Sequence, residues 1–235
     1  MKKCITVFLV LVFTAGVIGI IGKQHIYDCG IMSAKTIRDV NEIQCYLEVV
    51  DSESQMKRYK KMLEEGSKEF MEELDMLEEA DNIAVVVPTG NLKLYETEVI
   101  QEVEVQEVKK GDTKLIGKTI MIEDLGAGFR LDKKKSTIPN CYSIQNIMQE
   151  NTKYLCFFNN ISLNQENNIE QFHLAASGLF DCLDLEHTNK TRLFPAKEEK
   201  YKFGDLADVE FFCNSQELLD AKNNLKEKVI ERYCG

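Results

Sequence analysis

The sequence predicts an α+β protein held at a membrane. Its expected parts are an N-terminal transmembrane helix, an amphipathic helix, an antiparallel β-barrel or strongly curved sheet, and a C-terminal helix. Three observations lead there. An uncharged apolar run, Ile5 to Gly22, stands between Lys2-Lys3 and Lys23. A helical period governs Ser52 to Glu79. At Asn82 the period becomes strand-like, and strand-like runs recur as far as Leu185. The layout that follows is a membrane anchor or signal segment at 1–23, a juxtamembrane segment with the amphipathic helix at 24–81, and an extracytoplasmic barrel-like domain at 82–235.

The apolar run is 18 residues long. At about 1.5 Å per residue it covers roughly 27 Å, close to the hydrocarbon thickness of a bilayer. The lysines before it keep the N-terminus in the cytoplasm, so the chain is expected to be single-pass with its C-terminal domain outside the cell membrane. A cleaved signal peptide is the competing reading and would leave the domain secreted. Its apolar region would need only about 7–15 residues and a small-residue cleavage site. Val17-Ile18-Gly19 is passable, but no Ala-x-Ala is present, and Cys29 lies too far along for a lipoprotein signal.

The remaining 212 residues suffice for one sizeable domain or two small ones, and the 44% hydrophobic content predicts a packed core. The whole chain carries −10, and its first 23 residues hold three lysines and no acid, so the exported part carries −13. Such a surface repels phosphate backbones, which argues against a nucleic-acid partner. Seven cysteines follow the apolar run: Cys29, Cys45, Cys141, Cys156, Cys182, Cys213 and Cys234. None is spaced Cys-x-x-Cys, which disfavours a zinc tetrathiolate. Disulfides are permitted outside the cell. Cys156 and Cys213 nevertheless lie in apolar runs that read as strands, and we expect mostly free thiols, as suits an organism that avoids oxygen.

Between Ser33 and Val50, Ile37, Val40, Ile43 and Leu47 recur at helical spacing, but Cys45 to Val50 reads equally well as a strand. From Ser52, Met56, Tyr59, Leu63, Phe70, Leu74 and Leu77 define one apolar helix face. Charge along this helix opposes its dipole, with Lys57 to Lys61 early and Glu69 to Asp81 late. A solvated face explains that better than cation binding, because no calcium-hand loop is present. Ile83 to Val87 reads as a strand ended by Pro88-Thr89-Gly90. Glu98 to Val108 reads as a half-buried strand with a bulge near Gln106-Glu107, and Lys118 to Glu123 as a third strand. Tyr154 to Phe158 is wholly apolar and should be covered on both faces. Phe172 to Ala176 and Leu179 to Leu185 suggest a hairpin about Ser177-Gly178, and 186–207 a loop. A final helix, capped by Asn214 or Ser215, should bury Leu218, Leu225, Val229 and Tyr233.

No motif names a reaction. His25, His173 and His187 have no partner at metal-ligand spacing, and His173 reads as a structural histidine. Gly126-Ala127-Gly128 lacks the third glycine of a dinucleotide loop. Asp181 and Asp184 form a carboxylate pair near a strand end, an arrangement that is usually solvated. No catalytic residue, cofactor or metal is therefore expected.

One constellation is more specific. Val103-x-Val105-x-x-Val108-x-Lys110-Gly111-Asp112 precedes Gly117-x-x-Ile120-x-Ile122, and Lys153-Tyr154-Leu155-x-Phe157 follows later. This pattern resembles the small oligonucleotide/oligosaccharide-binding (OB) type barrels in surface proteins of Gram-positive bacteria. Those look like the barrel of tissue inhibitors of metalloproteinases and netrin-like modules. The resemblance covers roughly residues 83–160. It implies that a long strand enters the Lys-Gly-Asp turn, a second strand returns, and the Tyr-Leu-x-Phe strand helps close the barrel. It does not carry inhibition with it, since the nearest cysteine upstream of Ile83 is Cys45.

The expectation is a non-enzymatic, membrane-anchored binding module. Its partner would be a protein or an envelope polymer, met by the loops at 88–97 and 124–150, with Lys133, Lys134 and Lys135 as a basic spot. A hydrolase acting on envelope material and a structural spacer are the alternatives. A pocket joining His173 to Asp181 or Asp184 would favour the hydrolase.

Overall fold

The change of period at Asn82 marks the start of a barrel. The computed structural model describes residues 33–42, 46–49, 75–95, 98–124, 137–140, 143–161, 169–175, 181–186, 191–193, 200–213 and 216–235. The predicted anchor at 5–22, most of the predicted amphipathic helix, and Lys133, Lys134 and Lys135 lie outside these residues. Among the described residues no helix is long and apolar enough to cross a membrane.

Before the barrel, both readings of the 33–50 stretch are realised in turn. Ile37–Glu42 is a short helix, α1, and Tyr46–Val49 a strand, β1. Thr36 Oγ1 accepts from the Asp39 N–H at 3.1 Å, and Asp39 Oδ2 accepts from the Thr36 N–H at 2.9 Å. This reciprocal cap starts α1, and Ile37 and Val40 are its buried side.

Five strands then close on themselves. They are β2 (Asn82–Leu94), β3 (Val99–Lys110), β4 (Thr119–Asp124), β7 (Tyr154–Asn160) and β8 (Gln171–Leu174). Their order is β2-β3-β4-β8-β7, and β7 pairs back onto β2 to complete the ring. The sequence led us to expect an antiparallel barrel, but β4 and β8 run parallel. An odd ring requires this, because strand directions cannot alternate all the way around five members. The closed five-stranded barrel is compatible with an OB-like barrel.

The strands sort their side chains by period two. Ala84, Val86, Val103, Val105, Ile120, Ile122, Tyr154, Cys156, Phe158 and Phe172 fill the interior. Ile83, Val85, Leu155 and Phe157 point outward. Val85 faces Glu107 while Val86 faces Val105, so Gln106 is the extra residue of a bulge, as its sequence suggested. The bulge shifts the alternation by one, which brings Val108 to the same cluster as Val103 and Val105. Beyond Lys110 the chain turns at Gly111, whose φ of +104° favours glycine. A side chain there would also meet Asn82 Oδ1, which accepts the Asp112 N–H at 3.0 Å.

Three expectations are corrected. β2 does not end at Pro88 but continues to Leu94. Its register against β3 shifts between Pro88 and Leu92, where a residue without an N–H is tolerated. The predicted loop at 88–97 is thus largely strand. Second, β8 does not form a hairpin with β9 (Cys182–Asp184). Both lie along one edge of β7, β8 against Phe158–Asn160 and β9 against Tyr154–Cys156. β7 is long enough to serve both while β2 holds its other edge. Third, the stretch at 186–207 is not all loop. It supplies β10 (Thr191–Leu193), β11 (Lys200–Lys202) and a 3-10 turn, Phe203–Leu206. Three-residue strands are too short for alternation to show in the sequence.

These short strands build two small sheets. β1 lies between β11 and β5 (Thr137–Asn140), and β12 (Phe211–Cys213) between β10 and β6 (Ser143–Gln145). The C-terminal helix α2, Gln216–Cys234, covers the outer face of the barrel. Leu219, Leu225 and Val229 pack with Leu155, Phe157, Leu183 and Phe211. Tyr233 meets Phe157 edge-on at 5.5 Å between ring centroids. Leu77 and Ala80, the described end of the predicted amphipathic helix, are buried in the same cluster. Both faces of β7 are therefore covered, as its unbroken apolar run required.

Candidate functional site

Helical spacing puts two lysines on the buried stripe of α2. Leu219, Lys222, Leu225, Lys226 and Val229 follow at steps of three, three, one and three, and all are buried. A lysine there must find partners, because burying an unpaired ammonium is costly. Lys226 Nζ lies 2.5 Å from Glu210 Oε2, with the two side chains only 4% and 2% exposed. Lys222 Nζ donates to Gln145 Oε1 at 3.0 Å and lies 5.1 Å from the Phe211 ring centroid. Burial pulls the Lys222 pKa down to about 8, with Glu210 and Asp181 opposing the fall.

The network continues into β9 and the segment before β7. Glu210 Oε1 accepts from the Asp184 N–H at 3.0 Å, and Asp184 Oδ1 accepts from the Glu186 N–H at 2.8 Å. Gln145 Nε2 donates to the Cys182 carbonyl at 2.9 Å. Asn146 donates to the carbonyls of Leu206 and Val209, at 2.9 and 2.8 Å. Gln101 and the Met148 backbone exchange two hydrogen bonds, at 2.8 and 3.0 Å. The segment at 146–150 is thereby pinned to the barrel.

Beside this network lies a cavity of about 270 Å³, lined among others by Asn146, Gln149, Tyr154, Asp184, Asp208 and Glu210. Tyr154 Oη accepts from the Gln149 N–H at 2.9 Å. Burial pushes the Tyr154 pKa well above its ordinary value, so the phenol keeps its proton as a donor. The cavity is near the lower end of the roughly 300–1,000 Å³ typical of small-molecule sites.

The residues singled out from the sequence are not gathered here. Asp184 lines this cavity, whereas Asp181 lines a second and much smaller one with Gln101, Met148 and Cys182. His173, half-buried on β8, lines neither. Both aspartates are buried rather than solvated. Among the described residues no group of His, Cys, Asp and Glu is placed to hold a metal ion. The sequence reading missed Lys222, Lys226, Gln145 and Glu210. The signal for the lysines was present in their spacing with Leu219 and Val229. Nothing local marked Gln145 or Glu210. No protein-family model and no curated protein sequence matches this chain.

Proposed function

We propose that this chain is a membrane-anchored, extracytoplasmic binding module that holds one small polar unit of an envelope polymer or protein without turning it over. The observation that carries this reading is how the two buried acids of the cavity are held. Glu210 has one oxygen on Lys226 and the other on the Asp184 N–H, and Asp184 Oδ1 takes the Glu186 N–H. Acids tied down in this way are suited to orienting a ligand rather than shuttling protons. The Tyr154 hydroxyl and the amides of Asn146 and Gln149 give the cavity polar groups fixed in place by their own hydrogen bonds. The acidic surface favours a neutral, hydroxyl-bearing ligand over a phosphate chain. The resemblance to surface barrels and the run at Ile5–Gly22 support the location outside the membrane.

A hydrolase is the second reading, favoured by three carboxylates, Asp184, Asp208 and Glu210, lining one cavity, since glycoside hydrolysis needs a pair of them. One experiment separates the two. The full chain in detergent is titrated with soluble N-acetylglucosamine oligomers while product is followed chromatographically. Saturable binding without product, lost when a ring is placed in the cavity by Ala207→Phe at a position that lines it, supports the binding module. Multiple turnover overturns it, and so does binding that Ala207→Phe leaves unchanged. A Lys133→Ala, Lys134→Ala, Lys135→Ala variant with unchanged affinity removes the basic loop from the contact surface.

A further inference from the structure

Cys156 and Cys182 face each other across β7 and β9. The Phe157 N–H donates to the Asp181 carbonyl and the Leu185 N–H to the Lys153 carbonyl, both at 2.9 Å. Hydrogen-bonded pairs alternate along an antiparallel ladder, so 157/181, 155/183 and 153/185 belong to one class. Cys156 and Cys182 then form a non-hydrogen-bonded pair. Such pairs bring Cα atoms to about 4.5 Å, with side chains close together. A disulfide needs Cα atoms at roughly 4.4–6.8 Å. The two Sγ atoms are 3.0 Å apart. Even carbon atoms rest at about 3.5–4.0 Å from one another, and sulfur is larger. Both residues are buried, in the barrel interior, and Met148 Sδ lies 3.7 Å from Cys156 Sγ.

We propose that Cys156 and Cys182 are the two halves of a structural disulfide that fastens β9 to β7 inside the barrel. The oxidant is a disulfide donor of the thiol–disulfide exchange class. One cysteine thiolate attacks the donor disulfide, forms a mixed disulfide and releases one donor thiol. The other thiolate then attacks the cysteine sulfur of that bond and releases the second donor thiol. Two electrons and two protons pass to the donor, and one S–S bond replaces another. Because both thiols are buried in the finished fold, exchange takes place while β9 is still undocked. The bond encloses the β7–β8–β9 connection, so it holds in place the strand that carries Asp184 to the cavity. The proposal rests on strand register and not on the functional reading above, so each can fail without the other.

The full chain in detergent is unfolded, refolded in a glutathione–glutathione disulfide buffer, alkylated under denaturing conditions and digested without reduction. A parallel sample is equilibrated in the same buffer at sub-denaturing urea, so that poor refolding does not decide the result. The expected product is a linked peptide pair joining Cys156 to Cys182, lighter by two hydrogens than the reduced peptides. Reduction should lower the melting temperature of the oxidised chain by roughly 5–15 °C. A Cys156→Ala, Cys182→Ala variant should lose this response. Two alkylated thiols at Cys156 and Cys182 would overturn the proposal, as would either cysteine bonded elsewhere. A linked pair whose reduction leaves the melting temperature unchanged would refute its structural role.

Discussion

Lys226 and Glu210 form an ion pair almost wholly removed from water, and its energetics are asymmetric. Replacing one partner strands the other's charge, whereas replacing both removes two desolvation costs together. Lys226→Met should therefore destabilise the protein by about 3–5 kcal/mol in urea denaturation. Adding Glu210→Gln, which keeps an acceptor for the Asp184 N–H, should recover most of that loss. Lys222 supplies a pH test. Burial lowers its pKa to about 8, below the roughly 10.4 expected of an unfolded lysine. Between those values the unfolded chain keeps a proton that the native state has lost, so stability should rise with pH through this window. Above about pH 10 the raised pKa of Tyr154 acts the other way, because the unfolded phenol ionises first. Comparing Lys222→Met with the parent across pH 7–10 isolates the lysine. An identical pH dependence in both would show that Lys222 does not titrate in the native state.

At the scale of elements, β7 is the member on which the others depend. It pairs with β2, β8 and β9, packs Phe158 against Phe172 inside the barrel, and presents Leu155 and Phe157 to α2. Phe157→Ala should cost about 3–5 kcal/mol, the usual range for an aromatic deleted from a packed site. The described end of the predicted amphipathic helix meets the same cluster through Leu77, which is 2% exposed. Lys110 Nζ donates to the Glu78 carbonyl at 2.6 Å, and Arg232 pairs with the Glu78 carboxylate. The acidic end of that helix is thus partly answered by cations from β3 and α2. Leu77→Asp buries a charge without a partner and should lower the melting temperature markedly. An unchanged melting temperature would mean that this turn is dispensable to the barrel. The same test at Leu63 asks whether the rest of the stripe is buried, since that residue lies outside the described ones.

For the whole molecule, the consequence of barrel closure is that β2 and β7 have no free edge where they meet. α2 covers their outer face, and the two small sheets are formed largely by chain that enters after β4 and after β9. The proposed single-pass topology is tested at this scale as well. Protease added to intact cells stripped of their wall should digest the region at 24–235, because the lysines flanking Ile5–Gly22 orient the run. Full protection of that region would place it on the other side of the membrane and remove the extracytoplasmic reading.

The sequence by itself determined the features that are local. Alternation and the spacing of Val103, Val105 and Val108 located β3 and its bulge, and the Lys110-Gly111-Asp112 turn followed from a position that suits glycine. The unbroken apolar run at Tyr154–Phe158 required a strand covered on both faces, and the spacing of Leu225, Val229 and Tyr233 gave α2 its buried side. What only the tertiary structure decided is which distant residues meet. The parallel β4–β8 pair is a property of a five-membered ring, invisible in either strand alone. Cys156 meets Cys182 because β9 docks on β7 and not on β8. The cavity joins Asn146 and Tyr154, Asp184, and Glu210 from three separate stretches. Spacing puts Lys222 and Lys226 on the buried stripe of α2, but their partners Gln145 and Glu210 come from distant parts of the chain. Local periodicity is written within a few turns of chain, whereas a buried polar network depends on long-range pairing.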